Sequence, residues 1–123
     1  MKTNKAALVE ECKAKLIQTK KDLLNQIHSY RIEFTARDFR GDEADLSASM
    51  MTENQMLTSQ HRTREKLLEV ESALARIENG RFGYCEETEE PIEIERLLAI
   101  PWTRLSIEGA EIREAVKRRY SGQ

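Results

Sequence analysis

Neither Gly nor Pro occurs between residues 3 and 37, or between residues 45 and 79. Two breaker-free stretches of that length admit long helices and little else, because sheets and barrels need frequent turn residues. In the first stretch Leu8, Cys12, Leu16, Leu23, Ile27, Tyr30 and Phe34 recur at threes, fours and one seven that passes through Thr19. That spacing is close to the 3.5-residue repeat of a coiled coil. The second stretch offers Met50, Leu57, Leu67, Leu68, Leu74 and Ile77, with polar residues where core positions fall in its middle, at His61 and Arg64. A short acidic segment containing Gly41 joins the two, so the expected architecture is a long antiparallel coiled-coil hairpin. Each arm would span about 50 Å at 1.5 Å per residue.

The pattern stops at Asn79-Gly80, where Gly80 suits the left-handed position that ends a helix. Residues 81 to 105 hold both prolines and the single Trp, and six of the ten residues from Glu86 to Glu95 are Glu. Helical periodicity returns near Ser106, with basic residues toward the end that suit the helix dipole. The expected fold is mainly α. Residues 1–79 form the hairpin, with an acidic tip near 38–48. Residues 80–123 form a small globular head that ends in a helix and into which the N-terminal helix can also pack. Its candidate core is Phe82, Tyr84, Ile92, Ile94, Leu97, Leu98, Trp102 and Leu105.

Charge narrows the function classes. Twenty Lys and Arg against 22 Asp and Glu give a net charge of −2, which disfavours a generic nucleic-acid binder. No apolar run approaches a membrane span and no signal peptide is visible, so a cytoplasmic protein is expected. The chain has no phosphate-cradling glycine loop, HExxH or GxSxG, so no catalytic residue and no cofactor is expected. His28 and His61 read as polar residues on the arms. Cys85 has no CxxC partner, because position 88 is Thr, and one thiol does not make a zinc site. Asp42 and Asp45, in RGDEADLSAS, flank the expected turn. They can cap the second helix, or serve as carboxylates carried at the end of a narrow rod into a deep cavity.

The run from Ala75 to Glu114, ARIENGRFGYCEETEEPIEIERLLAIPWTRLSIEGAEIRE, resembles the zinc-finger region of the DksA/TraR family of bacterial transcription factors. The hairpin length and the tip pattern DxxDxA fit the same family, and the resemblance covers the chain from about residue 5 to residue 118. It implies that the protein binds RNA polymerase, passes its coiled coil through the secondary channel and places Asp42, Asp45 and Ser47 near the catalytic centre. Ser47 replaces the family's Ala. The family's four zinc cysteines fall here on Cys85, Thr88, Ser106 and Gly109, which implies a zinc-free branch. Positions of the family's ppGpp pocket fall on Glu69, Ile100 and Ala110, none of them basic, so a ppGpp response is not expected. Arg62 and Arg96 match family arginines and are polymerase-contact candidates. The expected protein is a monomer without membrane contact or sequence-specific nucleic-acid binding. The alternative is a coiled-coil adaptor that uses the hairpin for self-association or for another partner helix.

Overall fold

The computed structural model describes residues 5–37 and 46–121, with side chains described at 5–32 and 50–121. Four helices follow in order: α1 (Lys5–Arg37), α2 (Leu46–Glu78), α3 (Ile94–Ala99) and α4 (Ile107–Ser121). The fold is mainly helical, and α1 and α2, each of 33 residues, form a long helical hairpin. No strand occurs among the described residues; an isolated bridge pairs Tyr84 with Pro91. No helix among them is long and apolar enough to cross a membrane.

On α1 the inward face follows the sequence stripe as far as Tyr30, and the Phe34 side chain lies outside the described residues. Cys12 and Leu16 have no exposed surface, Leu23 is buried, and Leu8, Thr19, Ile27 and Tyr30 are half-buried. On α2 the inward face matches the expected stripe at Leu67, Leu74 and Ile77 and differs from it at Met50, Leu57 and Leu68. It runs through Met56, Gln60, Thr63, Leu67, Val70, Leu74 and Ile77, an unbroken alternation of fours and threes. The polar core positions are therefore Gln60 and Thr63. His61 and Arg64 are exposed, and so are Met50, Leu57 and Leu68. Thr63 tolerates burial because its hydroxyl donates to the Ser59 carbonyl of its own helix at 2.9 Å, which leaves its methyl to pack.

The chain forms two compact units. One is Thr19–Leu68, which holds α1 from Thr19 onward and α2 as far as Leu68. Its His28 is exposed, and its exposed His61 pairs with Glu65 one turn on, 2.7 Å away. The other unit joins residues 1–18 and 69–123, so the start of α1 and the end of α2 belong with the head.

The core of that second unit explains the grouping. Cys12 and Leu16 of α1, Val70 and Ala73 of α2, and Phe82, Cys85, Ile92, Leu97 and Ser106 are buried in it. Of the expected head core, Phe82, Ile92 and Leu97 are buried, and Leu98, Trp102 and Leu105 are half-buried. Tyr84 and Ile94 are instead exposed, and the Tyr84 ring carries the Lys5 ammonium 4.5 Å from its centroid. A six-residue helix cannot stand alone. Tertiary contacts hold α3: the Lys15 ammonium donates to the Leu98 carbonyl (2.9 Å), and the Cys12 thiol points at the Leu97 carbonyl (3.7 Å).

The end of α2 is as expected. Gly80 has φ +71°. Its N–H donates to the Ile77 carbonyl and the Arg81 N–H to the Arg76 carbonyl, at 3.2 and 2.9 Å. These two bonds form the Schellman pattern, and they satisfy carbonyls that would otherwise be orphaned.

Candidate functional site

Residues 84 to 92 form a tight loop. The Cys85 N–H donates to the Glu90 carbonyl, the Glu89 N–H to the Cys85 carbonyl, and the Ile92 N–H to the Gly83 carbonyl. The Glu86 N–H donates to the Arg104 carbonyl at 2.9 Å, which ties the loop to the segment before α4.

This fold brings Cys85, Thr88, Ser106 and Gly109 together, although α3 lies between the two pairs. Cys85 is buried, with Ser106 and Thr88 as its polar neighbours. Burial pushes the thiol up, but the nearby hydroxyls and backbone of Ser106 and Thr88 outweigh it and bring it down to about 6. Both hydroxyls are oriented by backbone donors: the Gly109 N–H reaches Ser106 Oγ at 3.0 Å and the Glu90 N–H reaches Thr88 Oγ1 at 3.3 Å. The first of these bonds is also the N-cap of α4.

The donor set does not fit four-thiolate zinc coordination. It has one thiol, two hydroxyls that accept backbone N–H bonds, and a glycine with no side chain. No group of three His, Cys, Asp or Glu able to hold a metal occurs among the described residues.

Beside this cluster lies a charged network that sequence inspection did not single out. The Arg104 Nε donates to both carboxylate oxygens of Glu69 (2.6 and 3.1 Å), its Nη1 to Glu86 (3.0 Å) and its Nη2 to the Ser72 hydroxyl (2.8 Å). Arg113 of α4 donates to Glu87 at 2.9 Å and to Glu86 at 3.3 Å. Together these bonds tie α2, the Cys85 loop and α4. Hydrogen bonds to Glu69 and then Glu86 raise the Arg104 guanidinium above its ordinary range. Arg76, held to the Trp102 and Thr103 carbonyls, is lowered by burial and then by neighbouring Arg104. Two of six Glu in an acidic run gave no sequence signal for this role, because their partners lie 18 and more residues away.

Burial would raise the Glu86 carboxyl, yet its bonds to Arg104 and Arg113 hold it below the usual carboxylate range. The native state thus favours its ionised form. That contribution is complete above the unfolded carboxylate pKa of about 4.3 and is lost as pH falls through the lower native value. A pH series of thermal melts is expected to show a shallower acid decline in Glu86→Gln than in wild type. The difference at neutral pH should stay within about 1 kcal/mol, since the group is partly exposed.

The other sequence-derived positions are dispersed. Glu69 is committed to Arg104, Ile100 caps the end of α3, and Ala110 lies in the first turn of α4. Arg62 is exposed on α2, whereas the Arg96 Nε donates to the Leu105 carbonyl at 2.8 Å and braces the head. Asp42 and Asp45 lie outside the described residues. Ser47 is in α2, and its side chain lies outside them too.

Comparison with known proteins adds the decisive observation. The sequence matches the profile of the prokaryotic dksA/traR C4-type zinc finger over residues 80–115. It is 32% identical over 111 residues to the RNA polymerase-binding transcription factor DksA of Caulobacter vibrioides, covering 89% of this chain and 78% of that protein. The chain belongs to the DksA/TraR family. Another relative is general stress protein 16O of Bacillus subtilis, 37% identical over 67 residues, which cover 54% of this chain and 39% of that protein. The solved structure of transcription factor DksA2 from Pseudomonas aeruginosa superimposes with a TM-score of 0.85 at 30% identity, covering 93% of this chain and 88% of that one. The likeness to DksA2 therefore extends beyond the zinc-finger region to both long helices. Within the matched range this DksA/TraR member has one cysteine, Cys85, where a C4-type finger has four.

Proposed function

We propose that this chain is a DksA-like regulator of transcription initiation that binds bacterial RNA polymerase and acts without catalysis of its own. The observation that carries this reading is similarity along almost the whole chain to DksA2 and to a polymerase-binding DksA. In this reading the hairpin enters the secondary channel and carries Asp42, Asp45 and Ser47 toward the catalytic centre. Arg62 and Arg96 are the polymerase-contact candidates. Of the two, Arg62 is the more exposed, and Arg96 has committed its Nε within the head. The protein works as a cytoplasmic monomer, without sequence-specific contact to nucleic acid.

Two refinements belong to the reading. The head works without zinc, which is supported by a donor set that holds one thiol at the four C4 positions. The protein responds little to ppGpp. Glu69, Ile100 and Ala110 supply no positive charge where the family's pocket needs it, and the Glu69 carboxylate is satisfied by Arg104. Adding ppGpp to a transcription reaction whose polymerase lacks other ppGpp sites should change the effect of this protein less than twofold.

The direct test is competition for RNA polymerase against a DksA, with zinc measured on the same preparation. Displacement of DksA at one equivalent, by protein without stoichiometric zinc, is the expected result. No displacement would remove the polymerase assignment.

The adaptor reading keeps one observation in its favour. Ile17, Leu24, Leu57 and Leu68 are exposed on the long helices, between 40% and 66%. A partner helix could cover such residues. If it does so by self-association, sedimentation should show mass rising with concentration, whereas the regulator reading expects one monomeric species.

A further inference from the structure

The C4 positions do more than fail to hold a metal. A Cβ built on Gly109 would fall well inside contact distance of the Cys85 sulfur, and it would also crowd the Glu87 Cβ at 3.3 Å and the Ser106 Oγ at 3.4 Å. In a tetrahedral zinc site with Zn–S bonds of about 2.3 Å, neighbouring sulfurs stand about 3.8 Å apart. A ligand's Cβ lies further from the metal than its own sulfur, so it stands well clear of the neighbouring thiolate. Here the Cys85 sulfur lies far inward of that arrangement, in space that exists only because residue 109 has no side chain.

From this packing we infer that the Cys85 sulfur itself fills the centre of the four-residue set. It is seated in the room left by Gly109, so the pair Cys85–Gly109 is a lock that replaces the metal. The inference rests on the zinc-free part of the proposed function and says what substitutes for the ion.

Each part of the lock has a physical reason. Cys85 is buried with 2% of its surface exposed, and its short side chain has one rotatable bond, so the sulfur cannot retreat as the end of a long chain would. The Ser106 and Thr88 hydroxyls at the neighbouring positions are fixed by the Gly109 and Glu90 amides. Gly109 is buried at the third position of α4, so the approach of α4 to the Cys85 loop is set by the sulfur's radius. Arg113, one turn further along α4, pairs with Glu86 and Glu87 on the same loop and holds the contact from outside. In the exchange three ligands become two hydroxyls and a glycine, and the remaining sulfur sits in the space beside Gly109.

The test is a double-mutant cycle on the full chain, read by thermal melting, with zinc content measured for every variant. Gly109→Ala normally stabilises a helix, because Ala is the better helix former and lowers the entropy of the unfolded chain. Here it is expected to lower the melting temperature by about 5 °C or more, because the new methyl meets the sulfur. Cys85→Ala alone also destabilises, by emptying the centre. The double variant Cys85→Ala/Gly109→Ala should be more stable than the sum of the single effects predicts, since the new methyl moves into the space the sulfur left.

If Gly109→Ala is too unstable to purify, a folded double variant still establishes the coupling. A Gly109→Ala protein as stable as wild type, or losses that simply add in the double variant, would overturn the lock. Stoichiometric zinc in wild type would overturn the zinc-free reading on which it rests, whatever the melting temperatures. Polymerase binding is not the readout, so a failure of the lock leaves the polymerase assignment standing.

Discussion

A protein with both Asp42→Asn and Asp45→Asn is expected to fold and to compete for RNA polymerase like wild type, yet to lose its effect on short-lived promoter complexes. Asn caps a helix about as well as Asp, so the exchange keeps capping geometry and removes two negative charges. If the two residues only start the second helix, the double variant should melt within about 1 kcal/mol of wild type and regulate normally. If their charge acts inside the polymerase, regulation falls at least tenfold while binding stays within about threefold, because in the proposed function most of the contact is assigned to the long helices and the head. Alanine would be a poorer probe, since it removes the cap and the charge together. Three measurements on one preparation separate the cases: thermal stability, competition against a DksA, and the lifetime of an unstable promoter complex. Regulation that survives in the double Asn variant sinks the tip assignment and brings the adaptor reading forward.

The largest stability effect should come from Leu16. Its side chain has no exposed surface, and it lies in the unit that joins the start of α1 to the end of α2 and the head. Leu16→Ala leaves a cavity among close-packed neighbours and is expected to cost about 2–5 kcal/mol. For a chain of this size that is a fall on the order of 10 °C in melting temperature. Leu68→Ala is the control. Leu68 is 66% exposed, next to half-buried Leu67, and its removal should change stability by about 0.5 kcal/mol or less. Urea melts of the two variants make the comparison. Equal losses would mean that α2 packs through a different face from the one described. A loss at Leu68 that grows with protein concentration would instead point to a partner covering it.

The Leu67–Leu68 pair also shows where reading the sequence stops. The sequence stripe names both of these adjacent leucines, and only Leu67 turns inward. The inward face is set from the C-terminal end of α2. Val70, Ala73, Leu74 and Ile77 pack with the head, and their threes and fours carry the seam back through Leu67, Thr63 and Gln60. Thr63 looks solvent-facing in a string of letters. Its burial depends on a hydroxyl satisfied by the carbonyl of Ser59, a local bond that composition does not reveal.

What the sequence determined by itself is local in origin. The absence of Gly and Pro set the two long helices, the α1 stripe named its inward face, and Gly80 ended α2 by the left-handed turn it alone adopts at little cost. The motif around Cys85 was enough to place the chain in its family. Tertiary structure decided the long-range pairings. It drew Glu69, Glu86 and Glu87 to Arg104 and Arg113, exposed Tyr84 and Ile94, braced Arg96 against Leu105, and seated the Cys85 sulfur against Gly109. The physical reason is range. Backbone propensity and capping act within a few residues and leave a periodic trace. An ion pair across 35 positions, or a missing methyl that admits a sulfur from another segment, leaves none until the chain has folded.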